Sequence, residues 1–201
     1  MKIRNILIMF FLVCFIGCAN GTTGSFYKPG VAFTKPVKIA VARFKAFSKP
    51  SSGQEASDLM AMAFFKKGYD IVEMNQILSL PEQEQIYDWG LTNDIKNKLK
   101  GFGVSAVIFG TVSEYRCSAK SAYIHIPGDD DQTCWVSFSG TMVDSSSGDV
   151  LWMLSRSDTM TGDKLEAGSV LRSMMRRLDT EIPDGTDDDM VKTPKGHESA
   201  Y

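Results

Sequence analysis

The sequence contains two histidines, His125 and His197, and they limit the chemistry that this chain can perform. A zinc site built on two or more histidines, such as the H-E-x-x-H motif, is absent. A serine-histidine-acid triad would have to use His125, yet no G-x-S-x-G motif presents a nucleophile. The residues therefore predict no catalytic site, no cofactor and no enzyme, with a hydrolase that uses His125 and nearby acids as the alternative.

The acidic and glycine-rich segments do not match known calcium-binding or phosphate-binding motifs. Asp129 to Asp131 and Asp187 to Asp189 are runs of carboxylates, but neither has the ligand spacing of a calcium-binding loop. Gly101-Phe102-Gly103 lacks the third glycine and the lysine of the phosphate-binding motifs. We interpret the acidic runs as a solvated turn and a solvated tail, and we predict no metal site.

The N-terminus has the pattern of a secretory signal. Lys2 and Arg4 precede an apolar run from Ile6 to Ile16, which is too short for a membrane span of about 20 residues. The run ends in Phe15-Ile16-Gly17-Cys18, which resembles the bacterial lipobox, where a small residue precedes the cysteine that is acylated. The resemblance implies cleavage after Gly17 and a lipid, such as palmitate, on Cys18. The alternative is an ordinary signal peptide followed by an incidental cysteine.

The lipobox also suggests where the chain resides. Several acyl chains, each methylene adding about 0.8 kcal/mol when buried, would make the anchor effectively permanent. Ala19 follows the cysteine, whereas an aspartate there commonly retains lipoproteins at the inner membrane. The resemblance therefore implies an outer-membrane anchor, with the rest of the chain facing the periplasm.

Two further cysteines, Cys117 and Cys134, lie on the two arms of a predicted hairpin. In an oxidising periplasm this pair can form a disulfide, worth about 3 kcal/mol in the chain-entropy model. The alternative is two separate free thiols. A redox-active pair is disfavoured because the C-x-x-C spacing is absent.

The composition is typical of a single domain with a substantial hydrophobic core. The chain has 201 residues, of which 43% are apolar and 23% charged, and its formal net charge is −2. This length supports one domain rather than two large ones. The near-neutral charge gives no electrostatic reason to expect a nucleic acid partner.

The apolar pattern predicts an α/β domain, with a mixed sheet of four or five strands and helices packed on one face. Val136, Phe138 and Met142 alternate with polar residues as in a half-buried strand. Met174 and Met175 belong to a final amphipathic helix, where we interpret them as core residues. The predicted organisation is a signal peptide (1–17), a flexible tether (18–36), one domain (37–182) and a disordered acidic tail (183–201).

Four segments, in their order along the chain, resemble the periplasmic domain of CsgG-type lipoproteins. The same framework is similar to the N-terminal domain of TolB and to the LpoB-type activators of penicillin-binding proteins. The segments are Lys38 to Phe44, Tyr69 to Glu73 with Gln76 to Leu78, Gly103 to Val112, and the hairpin from Gly140 to Trp152.

The resemblance implies a non-enzymatic lipoprotein that acts by protein contact, as an accessory in envelope assembly or secretion. Its partners would be periplasmic or outer-membrane proteins, including copies of itself. A secretion pore subunit of the CsgG type is the alternative. Each membrane strand of such a pore needs about 9 to 11 residues, and the first candidate hairpin, Ser113 to Trp135, is short, polar and interrupted by Pro127. We therefore expect the scaffold without the pore.

Overall fold

The computed structural model describes residues 23–27, 38–119 and 131–182. Its seven strands are β1 (Thr23–Tyr27), β2 (Lys38–Val41), β3 (Lys45–Ala46), β4 (Asp70–Glu73), β5 (Ala106–Ala119), β6 (Asp131–Asp144) and β7 (Val150–Asp163). Its α-helices are α1 (Pro50–Lys66), α2 (Leu80–Trp89), α3 (Asn93–Gly101) and α4 (Ala167–Arg176). Two short 3₁₀ helices follow β4 and α4, at Met74–Gln76 and Arg177–Thr180. Within these ranges, no helix combines the length and the apolar character that crossing a membrane requires.

All seven strands form one mixed sheet, which confirms the predicted fold class. The strand order is β1-β7-β6-β5-β2-β4, and the short β3 pairs with β5 beyond the end of β2. β2 is parallel to β4 and β5, whereas β5, β6, β7 and β1 pair antiparallel. The sheet thus has more strands than the four or five expected from the sequence.

β1 accounts for part of that difference, because it lies inside the segment predicted as a flexible tether. Its residues pair with β7 from Thr23 opposite Arg156 to Tyr27 opposite Trp152. Thr23, Phe26 and Tyr27 are residue types enriched in strands, but Gly24 and Ser25 interrupt them. The small polar residues at the start of the segment led to its prediction as a tether. The other domain boundaries remain predictions.

Helices cover both faces of the sheet, whereas the sequence predicted them on one face. Ile39 and Val41 of β2 point toward α1 and α4 in the larger core. Ala40 and Ala42 point the opposite way, into a second core beneath α2 and α3. The alternation of side chains along a strand explains this result, since β2 is apolar at both sets of positions.

The helix ends follow local sequence signals. Thr92, a residue type that commonly caps helices, accepts a hydrogen bond from the Ile95 amide at 3.4 Å just before α3 begins at Asn93. The Ser79 amide donates to the Glu82 carboxylate at 2.8 Å, half of a capping box at the start of α2. Met174 and Met175 of α4 are buried, which confirms their interpretation as core residues.

Candidate functional site

Cys117 and Cys134 lie directly opposite each other on β5 and β6. Their sulfur atoms are 2.02 Å apart, in a disulfide. Cys134 is fully buried in the larger core, whereas Cys117 is exposed. The bond ties two neighbouring strands together.

Most of the other residues singled out from the sequence lie outside the described residues. These are Cys18, His125, His197 and the acidic run from Asp187 to Asp189. Of the first acidic run, Asp131 is described and begins β6. Across residues 23–27, 38–119 and 131–182, no three metal-binding side chains lie close enough to hold an ion together.

Glu82, Lys98 and Asp94 form a charged cluster that joins α2 to α3. The Lys98 ammonium pairs with the Glu82 carboxylate and lies 3.2 Å from Asp94. Hydrogen bonds from Lys98 and Ser79 lower the pKa of Glu82 to about 2, and the Glu82 carboxylate raises the pKa of Lys98. Both groups therefore stay charged near neutral pH, which suits a structural pair and not proton transfer.

Tyr115, Glu55 and Arg172 connect the sheet to both helices of the larger core. The Tyr115 hydroxyl donates to Glu55 at 2.7 Å, and Arg172 donates to the other carboxylate oxygen at 2.9 Å. Burial, and next the nearby Glu55 carboxylate, raise the pKa of Tyr115 well above its ordinary value. The phenol stays protonated and serves as a hydrogen-bond donor.

Arg156 on β7 is a buried charge that the sequence analysis missed. Its guanidinium donates to the Met174 carbonyl at 3.1 Å and pairs with the Glu181 carboxylate. The alternation of β7 places Arg156 on the same face as the buried Trp152 and Leu154, and this spacing was the available signal. The pair attaches β7 to the end of α4.

A cavity of about 490 Å³ lies beyond the end of β2. Arg43, Lys45, Tyr87 and Asp88 are among its lining residues. The Tyr87 hydroxyl donates to the Arg43 carbonyl at 2.7 Å and accepts from the Gly110 amide at 3.3 Å. Burial raises the pKa of Tyr87 to about 12. Tyr87 is therefore another structural donor and not a general base near neutral pH.

A second depression, of about 500 Å³, lies between α1 and the edge strand β4. We call it the α1–β4 groove, and its lining includes Asp58, Ala61, Met62, Phe65, Ile71 and Glu73. Met62 is 54% exposed and Phe65 is 68% exposed, although both are large and apolar. The sequence carried a signal for them, since they lie three residues apart and outside the buried stripe of α1.

A second exposed apolar pair lies at the other edge of the sheet. Phe26 of β1 and Met153 of β7 are direct register partners, and they are 66% and 45% exposed. We call this pair the Phe26 patch. Met153 lies between the buried Trp152 and Leu154, so the patch is on the face opposite α1 and α4. Apolar side chains grouped in this way are typical of contact surfaces.

Comparison with known proteins gives a fold but no family. No protein-family model matches the chain, and no curated protein matches its sequence. Among solved structures, 47 chains match in fold. One is a PelC dodecamer from Paraburkholderia phytofirmans, with 21% identity and a TM-score of 0.50, covering 80% of this chain and 96% of that chain.

Two further solved structures are among the matches. Lipoprotein GNA1162 from Neisseria meningitidis has 24% identity and a TM-score of 0.46, covering 73% of this chain and 97% of that chain. The LpoB C-terminal domain from Salmonella enterica has 12% identity and a TM-score of 0.35, covering 68% of this chain and 87% of that chain. At these identities the likeness concerns the fold alone.

Proposed function

We propose that this chain is a non-enzymatic lipoprotein that is anchored to the outer membrane, faces the periplasm, and acts by protein contact as an accessory in envelope assembly or secretion. One observation carries the contact role. Large apolar side chains are exposed in pairs at the α1–β4 groove and at the Phe26 patch. Further exposed apolar side chains lie elsewhere in the described residues, at Phe47, Leu80, Phe102 and Met160. The charged clusters described above are instead paired within the fold.

The anchor is supported by the sequence around Cys18, which follows a positive segment and an apolar run of secretory length. Self-association is part of the proposal, since the PelC structures that share this fold are dodecamers. A lipid anchor would favour such contacts, because it holds all copies on one surface at a raised effective concentration.

Labelling with palmitate in cells tests the anchor. The wild-type chain is expected to incorporate the label and to fractionate with the outer membrane, whereas Cys18→Ala loses both properties. Cys14→Ala is the matched control and should retain the label, because its neighbour Val13 is too bulky for the lipobox pattern. Equal labelling of the wild type and Cys18→Ala would remove the anchor from the proposal.

Complementation of a deletion strain separates contact from catalysis. We expect His125→Ala to restore the wild-type phenotype fully. The double variant Met62→Asp/Phe65→Asp should restore it poorly, because two charges replace the apolar rim of the groove. If His125→Ala fails to complement while the chain is still folded and exported, the hydrolase alternative replaces the contact role.

A further inference from the structure

We propose that copies of this chain join head to tail, with the Phe26 patch of one copy seated in the α1–β4 groove of the next. This inference rests on the proposed function, because it names the partner and the two surfaces for a protein that acts by contact. It concerns four of the large apolar side chains that the described fold leaves exposed, Phe26, Met153, Met62 and Phe65.

The two surfaces lie at opposite edges of one sheet. β1 and β4 are the terminal strands of the strand order, so the patch and the groove are separated by the full width of the sheet. A contact between unlike surfaces leaves each joined pair with one free patch and one free groove. Such a heterologous contact continues to further copies and closes into a ring when the rotation permits.

The two surfaces also lie on opposite faces of the sheet. The Phe26 patch is on the face away from α1, because Met153 alternates with the buried Trp152 and Leu154. The groove is bordered by α1 itself. The β1 edge of one copy can therefore overlap the α1 side of the next copy. Every copy in such a row has the same orientation.

The dimensions and chemistry of the groove suit this occupant. Its volume of about 500 Å³ falls within the roughly 300–1,000 Å³ of small-molecule pockets, so a phenylalanine and a methionine side chain fit in it. Ala61 and Ile71 line it, and Met62 and Phe65 extend beside it into solvent. When the two copies associate, apolar surface on both of them is removed from water, and this burial drives association.

Charge favours the unlike pair over a contact between two grooves. Asp58 and Glu73 line the groove together with the single cation Arg43. Two grooves placed face to face would bring these carboxylates together, and such like-charge contacts are costly at an interface. β1, with the sequence TGSFY, carries no charge and meets no such repulsion.

Cysteine crosslinking of the full-length chain in isolated membranes tests this arrangement. A double variant, Phe26→Cys/Phe65→Cys, treated with a short bismaleimide, is expected to give a ladder of dimers, trimers and larger species. Each single variant alone should give no covalent dimer. When the two single variants are co-expressed with different tags, they should give mixed dimers and nothing larger, because each copy then carries one reactive surface.

A matched control uses Phe102, an exposed phenylalanine at the end of α3. Phe102→Cys/Phe65→Cys should give no ladder. Dimers from Phe26→Cys alone or from Phe65→Cys alone would indicate contacts between like surfaces, and either result overturns the proposal. So does the absence of a ladder from Phe26→Cys/Phe65→Cys.

A second measurement does not depend on crosslinker geometry. Phe26→Asp and Phe65→Asp should each reduce the mass of the detergent-solubilised oligomer at least twofold, whereas Phe102→Asp should leave the mass of the oligomer unchanged. An unchanged mass in the first two variants, with wild-type circular dichroism, overturns the proposal. Crosslinking of Phe26→Cys/Phe65→Cys in a Cys18→Ala background separates the two proposals, because a ladder from the unacylated chain shows that the head-to-tail contact does not depend on the anchor.

Discussion

Gly110 of β5 lies directly opposite Gly140 of β6, and the ring of Phe44 occupies the space above them. A Cβ atom on Gly110 would lie 2.2 Å from the Ser139 carbonyl oxygen and 2.4 Å from the Phe44 ring. A Cβ atom on Gly140 would meet nothing closer than the Met60 methyl at 3.4 Å. The two glycines are therefore neighbours with different tolerance for a side chain.

We expect Gly110→Ala to destabilise the protein by about 1 to 3 kcal/mol, because the added methyl overlaps backbone as well as the ring. Gly140→Ala is the matched control, and it should change the free energy of unfolding by less than about 1 kcal/mol. Urea denaturation of both variants measures the difference. Equal destabilisation by the two substitutions would contradict the packing described for Phe44.

Replacing Arg156 or Glu181 should be costly, because removing one partner leaves a charge buried without compensation. Arg156 is 6% exposed, and it anchors β7 to the end of α4. We expect Glu181→Gln to lower the free energy of unfolding by about 3 kcal/mol, as is typical of a broken buried pair. The partly exposed pair of Arg177 and Asp158 is the control, and Arg177→Ala should cost less than about 1 kcal/mol.

The disulfide should stabilise the chain by about 3 kcal/mol, because it closes a loop across a sequence separation of 17 residues. Cys117→Ala/Cys134→Ala is expected to unfold at a lower urea concentration, with a free energy of unfolding that is lower by about 3 kcal/mol. Adding a reductant to the wild type should give the same shift, and adding it to the double variant should give none. A reductant effect on the double variant would mean that another bond carries the stability.

Stability should fall in acid partly through Glu82. Its pKa in the folded chain is lowered to about 2 from an ordinary value of 4.5. A lowered folded pKa means that the stabilisation is fully present above about pH 5 and is lost as the pH falls toward 2. The stability difference between the wild type and Glu82→Gln should therefore shrink over that range, as measured by urea midpoints at several pH values. A constant difference would contradict the charged pair with Lys98.

The sequence anticipated the elements whose own pattern is strong. The clean alternation around Phe138 predicted β6, and the amphipathic spacing predicted the final helix that contains Met174 and Met175. β1 was missed because Gly24 and Ser25 interrupt its strand-favouring residues, and the segment has no alternating pattern of its own. The second layer of helices was missed although Ala40 and Ala42 made β2 apolar on both sides.

The candidate surfaces depend still more on tertiary structure. Met62 and Phe65 lie outside the buried stripe of α1, yet nothing local indicated that they border a groove beside β4. Phe26 belonged to a segment without recognisable pattern, and only the register with Met153 makes the two residues one patch. The alternation of β7 puts Arg156 in phase with the buried Trp152 and Leu154, but its partner Glu181 is brought to it only by the tertiary structure.

The bond between Cys117 and Cys134 also determines how the chain responds to being cut. Any peptide bond broken between these two residues leaves both fragments joined through the sulfur atoms. The strands β5 and β6 would then remain paired along the register that runs from Ala106 opposite Asp144 to Ala119 opposite Gln132. A protease that nicks this connection would thus produce a two-piece protein that migrates as one species until a reductant is added.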